Sequence, residues 1–129
     1  MPVTPAFAAL HILLFLVLSI RTIRTRRSAQ VALGNGSDDS LTRAARVHAN
    51  FAEYAPFTLL AIWSAETLGV HVVIAIVLNL LLLTGRIIHA WGVSQPNENF
   101  TWRVAGMSLT FFALAGAALA ICAAYLMSA

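Results

Sequence analysis

Arg46-Val47-His48-Ala49-Asn50-Phe51-Ala52-Glu53-Tyr54-Ala55-Pro56 is a polar seam inside an otherwise apolar helical stretch. An ionisable side chain at the centre of a bilayer costs roughly 2.5–3.5 kcal/mol even on the cheaper insertion scales, so such groups turn toward an interior cavity. At about 100° per residue, Arg43, Arg46, Asn50, Glu53 and Tyr54 share one arc of roughly 100°, while His48 points elsewhere. Two cations, an amide, a carboxylate and a phenol therefore occupy one helix face.

The surrounding composition makes this a membrane seam. The chain has 129 residues, of which 60% are hydrophobic and 10% charged, with a mean hydropathy of +0.82; soluble domains carry about 25% charged residues. All eight basic residues are arginine and the net charge is +3. They are confined to short stretches between apolar segments, which speaks against nucleic-acid binding. A lone cysteine, Cys122, excludes an internal disulfide framework and reads as a small buried apolar residue.

Four spans follow, within one all-α domain over residues 1–129. The first runs over 5–20: Thr4 is placed to cap it and Pro5 to occupy its first position. It is not a cleavable signal, because its positive charges follow the apolar run. The second helix starts near Asp39 or Ser40, with Ser37, Asp38, Asp39 and Ser40 supplying capping oxygens and negative charge. Its membrane part covers 44–68, and at about 1.5 Å per residue the whole helix exceeds the ~30 Å hydrocarbon core. The third and fourth spans cover 70–92 and 100–127.

Every arginine lies at the ends joined by the first and third connections, which makes those loops cytoplasmic and both termini external. Trp91 and Trp102 then mark the cytoplasmic interface, and Trp63 and Tyr125 the outer one. Ala113, Gly116, Ala117 and Ala120 form a small-residue stripe that admits a close neighbouring helix. Gly34-Asn35-Gly36 is a turn; no strand precedes it and no Lys-Ser/Thr follows, so it does not cradle phosphate.

Spacing alone leaves three uses for the seam: an interhelical polar network, a proton or ion path, or a site for a ligand bearing both carboxylates and an amine. Pro56 removes a helix hydrogen bond and frees the Ala52 carbonyl, which is expected to kink the helix beside Glu53. Around the seam lie Arg26 and Arg27 after the first span, Arg86 and His89 late in the third, and Arg103 early in the fourth. Arg21 and Arg24 read as interface anchors. His89, taken alone, reads as a satisfied interfacial histidine, and His11 and His71 as packing or outer-interface groups. Asn79, mid-span, is expected to hydrogen-bond another helix. The four histidines are scattered, with no pair at ligand spacing, so no metal site is expected.

Arg46-x-His48-x-Asn50-x-x-Glu53-Tyr54-x-Pro56 resembles the second-helix signature of the membrane-associated proteins in eicosanoid and glutathione metabolism (MAPEG). The similarity extends over nearly the whole chain, including the arginine pair after the first span and Arg86 through Gly92; the short length and the Gly-Asn-Gly-Ser-Asp-Asp loop look like the bacterial branch, in the inner membrane. The resemblance implies a homotrimer of four-helix bundles, with glutathione as co-substrate in clefts between subunits at the cytoplasmic end. Arg46, Asn50, Glu53 and Tyr54 would line the tripeptide pocket, with Arg26 and Arg86 around it. Arg103 would stabilise the thiolate and Arg27 would face a lipophilic second substrate. Better-studied members place tyrosines on the third helix where this chain has His89 and Val93, so either His89 replaces a phenol as donor or tripeptide binding is weakened.

Glutathione carries two carboxylates, an ammonium and a thiol. Guanidinium forks suit the carboxylates, and Glu53 suits the ammonium. The expected activity is thus glutathione-dependent transfer to lipophilic electrophiles, or peroxide reduction. The alternatives are a non-enzymatic scaffold or binder of the same fold, and a small four-span drug–proton exporter. The exporter reading wants a deep carboxylate, commonly in the first span, where only His11 is available.

Overall fold

Segments that must satisfy their backbone within hydrocarbon become helices, and a computed structural model of the chain, describing residues 1–97 and 99–128, shows how these segments pair. The described residues form α1 (Thr4–Ser28), α2 (Asp39–Thr67), α3 (Val72–Ser94) and α4 (Phe100–Ser128), with no strand among them. The protein is a four-helix membrane bundle. Helices α1, α3 and α4 are long and apolar enough to cross a bilayer. By composition α2 does not reach that level, because Arg43, Arg46, Glu53 and Glu66 dilute it. It packs against all three of the others, whereas α1 does not touch α4.

Helix α1 departs from the expected 5–20 span at both ends. Thr4 is not its cap: Val3 holds that position and makes no side-chain cap bond. Instead the Glu66 carboxylate, from the far end of α2, accepts from the backbone N–H of Val3 at 2.6 Å and of Thr4 at 3.0 Å. The Thr4 hydroxyl is turned inward and accepts from Asn79 Nδ2 of α3 at 3.0 Å, fulfilling the interhelical bond expected of Asn79. At the other end α1 continues through its arginines to Ser28, since arginine is a good helix former with a stem long enough to reach the headgroups. The chain leaves through Gln30 at φ 52°. There the N–H of Gln30 meets the Arg27 carbonyl and that of Val31 the Arg26 carbonyl, a Schellman closure. Gly69 (φ 86°) closes α2 in the same way.

Helix α2 begins where its acidic prelude predicts. Asp38 accepts from the Leu41 N–H at 2.8 Å and from the Ser40 hydroxyl at 2.6 Å. The helix then runs unbroken through Pro56. On its α1 side, His48 reaches Ser19 Oγ at 3.1 Å and stacks on Phe15.

Two apolar clusters fill the bundle. Leu18, Val47, Phe51, Ala55, Ala90 and Val93 join α1, α2 and α3. Ile62, Ala75, Leu78, Leu82, Ala113 and Ala117 join α2, α3 and α4. The small-residue stripe on α4 is thus used inside the chain, and α3 and α4 also pass closely at Gly106. A Cβ on Gly106 would sit 2.5 Å from the His89 backbone nitrogen and 2.8 Å from the Gly85 carbonyl. Cys122 is exposed, contrary to the buried expectation. Gly106, Thr110, Ala113 and Ala117 set the inward stripe of α4, and Cys122 falls on the opposite, outward face of the single chain.

Two predictions follow from these contacts. Gly106→Leu forces backbone apart from backbone and lowers stability by about 2–3 kcal/mol, read as a fall in thermal midpoint in detergent, whereas Ala115→Leu on the exposed face leaves it unchanged. Asp38 has its carboxyl held below the ordinary value of 3.8, first by the Ser40 hydroxyl and then by the Leu41 N–H. Its stabilising contribution is therefore complete above that value and is lost as pH falls through the lower folded one. Asp38→Ala should lower the thermal midpoint at neutral pH, and the gap to the parent protein should close below pH 3.8.

Candidate functional site

On α2, Asp39, Thr42, Arg43, Arg46 and Asn50 recur at helical spacing and so line one wall. The end of α3 adds His89 and Val93, and the start of α4 adds Arg103. Together they enclose a cavity of about 270 Å³ at the arginine-bearing end of the bundle. Among the described residues, three guanidinium groups and one carboxylate line it.

Each wall residue is positioned differently. Arg43 donates to the Val93 carbonyl at 3.4 Å and the Pro96 carbonyl at 3.3 Å, tying α2 to the turn between α3 and α4. Arg46 is exposed, with no hydrogen bond or ion pair to other described residues. His89 is buried at the cavity wall, where Gly106 lets α4 pass against its backbone. Arg103 lies over the Phe100 ring at 5.9 Å. Trp91 and Trp102 meet edge to face at 5.5 Å beside it, pairing the two tryptophans expected at one interface.

Of the residues singled out from the sequence, Arg46, Asn50, His89 and Arg103 come together here. Five do not line the cavity. Arg26 turns back on its own loop, donating to the carbonyls of Val31, Ala32 and Gly34 at 3.2, 3.4 and 2.7 Å. Arg27 and Glu53 are exposed on the outside of the single chain. Tyr54 lies half-buried between the Arg86 guanidinium, 5.9 Å from its ring, and the edge of Phe111. Arg86 is buried behind Asn50, donating to its Oδ1 at 2.7 Å. Arg21, read as an anchor, donates to Ser94 Oγ and links α1 to α3.

Asp39, Thr42 and Arg43 complete the wall. Arg43 lay on the arc already noted; Asp39 and Thr42 continue the same spacing toward the helix start, a signal hidden because they also look like capping residues. A separate apolar cavity of about 190 Å³ lies beside Pro56 between α1 and α2, walled by His11, Phe15, Phe51 and Leu59 among others.

This geometry, a polar cavity built on the Arg46–Pro56 helix of a four-helix membrane bundle, coincides with a family match. The MAPEG family profile covers residues 4–123. The chain belongs to the MAPEG family. Among curated proteins it is similar to the inner membrane protein YecN of Escherichia coli strain K12, at 33% identity over 112 residues, which is 87% of this chain and 84% of YecN. YecN of Escherichia coli O6:H1 strain CFT073 matches at the same identity and coverage. In this MAPEG protein the α3 wall of the cavity carries a histidine and a valine, His89 and Val93.

The ties of Arg43 and the freedom of Arg46 lead to opposite expectations. Arg43→Ala should cost about 1 kcal/mol through its lost carbonyl bonds and speed amide exchange around residues 93–97. Arg46→Ala should change stability by less than about 0.5 kcal/mol. Hydrogen-exchange mass spectrometry with a thermal melt checks both.

Proposed function

We propose that this MAPEG protein is a glutathione-dependent transferase or peroxidase acting on lipophilic electrophiles. The observation that carries the reading is the set of polar groups that line the cavity: Arg43, Arg46, Arg103 and Asn50, with the Asp39 carboxylate beside them. Forked guanidinium groups suit two carboxylates, and a carboxylate suits an ammonium, which is the charge pattern of the tripeptide. Its thiol, with an ordinary pKa near ~8.5, is mostly protonated at neutral pH. Each unit by which a nearby cation lowers that value takes about 1.4 kcal/mol of preferential thiolate stabilisation, within reach of one partly desolvated guanidinium. Arg103 is assigned that role.

The thiolate attacks an electrophilic carbon, forming a C–S bond while a leaving group departs with the electron pair. With a peroxide it attacks oxygen instead, releasing an alcohol and leaving a sulfenic acid that a second glutathione reduces. Bilayer-dissolved substrates reach such a site laterally. In this reading the working unit is a homotrimer in the inner membrane, with both termini external. Exposed Glu53 and Arg27 then lie where a neighbouring subunit completes the cleft. The similarity to YecN, an inner membrane protein by name, supports the location.

The test is conjugation of a chlorodinitrobenzene by purified protein in nanodiscs, alongside calorimetric titration with glutathione. Saturable turnover is expected, and Arg103→Ala should lower kcat by about tenfold or more with a smaller change in KM. Binding without turnover would leave a binding protein, and absence of both would remove the glutathione reading.

A further inference from the structure

Arg86 is 1% exposed and makes no ion pair with a described residue. Its guanidinium donates from Nε to Thr110 Oγ1 at 3.0 Å, from Nη2 to Met107 Sδ at 3.2 Å, and from Nη1 to Asn50 Oδ1 at 2.7 Å. The polarity of this chain admits one solution. Thr110 gives its own hydrogen to the Gly106 carbonyl at 2.9 Å, so toward Arg86 it accepts. A guanidinium has no acceptor, so the end of the Asn50 carboxamide that faces it is the oxygen. The opposite end of that carboxamide, Nδ2, keeps both hydrogens without a partner among the described residues, while Asn50 lines the cavity.

We infer that Arg86 is a positioning residue: by holding Asn50 through its oxygen it presents the amide nitrogen to the cavity as a fixed donor. This wall then selects a ligand group that accepts, a carboxylate or carbonyl oxygen, and disfavours one that must donate. The inference deepens the proposed function and rests on the same cavity, but it concerns ligand chemistry rather than the identity of the ligand. The preset donor matters because an amide free to rotate would offer either end, and ordering it on binding would weaken recognition.

Asn50→Asp separates positioning from mere packing. The isosteric carboxylate pairs with Arg86, so the thermal midpoint is kept or raised, while the cavity loses its donor and gains an acceptor. Affinity for glutathione and for succinate, measured by calorimetry in nanodiscs, should each fall about tenfold or more. In protein with isotope-labelled asparagine, the Asn50 side-chain amide resonances should shift when either probe is added. Arg86→Lys, which cannot reproduce the fork, should move those resonances toward the values of exposed asparagines before any ligand is present.

If the parent protein binds succinate but not glutathione, the glutathione reading falls and the positioning role stands. Unchanged affinity in Asn50→Asp, Asn50 amide resonances insensitive to Arg86→Lys, or no response of them to either probe would each overturn the inference.

Discussion

A guanidinium with no acid beside it among the described residues, sealed between three helices, is the constraint on which the rest of this bundle depends. Arg86 on α3 reaches Asn50 on α2 and both Thr110 and Met107 on α4. Each lost partner would leave a buried donor unsatisfied at about 1–3 kcal/mol, more for a charged group. The three helices are therefore held in one register at that level. Along α3 this polar layer falls between Leu82 and Ala90, which belong to different apolar clusters. The layer closes the packed interior on one side and underlies the polar cavity on the other.

In lipid, apolar side chains gain little by leaving the solvent for each other, so helix pairing rests on close packing and hydrogen bonds. Helices α3 and α4 use the first device, with Gly85 and Gly106 backbones in near contact. Helix α1, whose outward face is studded with exposed leucine and isoleucine, uses the second. Glu66 and Asn79 hold its start, His48 grips Ser19 near its middle, and Arg21 donates to Ser94 Oγ of α3 toward its end.

The same economy shapes the cavity. Arg43 is drawn onto carbonyls of the α3–α4 turn, leaving Arg46 and Asn50 Nδ2 with donors to offer. The acids of the chain sit mostly at helix ends, where Asp38 caps α2 and Glu66 caps α1. The arginines, eight in all, lie toward the end of the bundle where α2, α3 and α4 enclose the polar cavity.

Much of this was legible in the residues. Apolar length located the helices to within a few residues where turns are chemically marked, as at Asp38 and Gly69. The heptad-like recurrence of Arg43, Arg46 and Asn50 placed one polar wall, because side-chain direction along a helix is fixed by its period. What neighbours do with a side chain has no such local rule. Thr4 looked like a cap and became an acceptor for Asn79; Cys122 looked buried and faces outward; Arg86, expected around the pocket, is buried behind Asn50. Sequence by itself determined helix, membrane and polar face, since these follow from covalent periodicity and transfer energy. Only the tertiary structure decided which polar group meets which, because a hydrogen bond depends on distances between chain segments that no local pattern records.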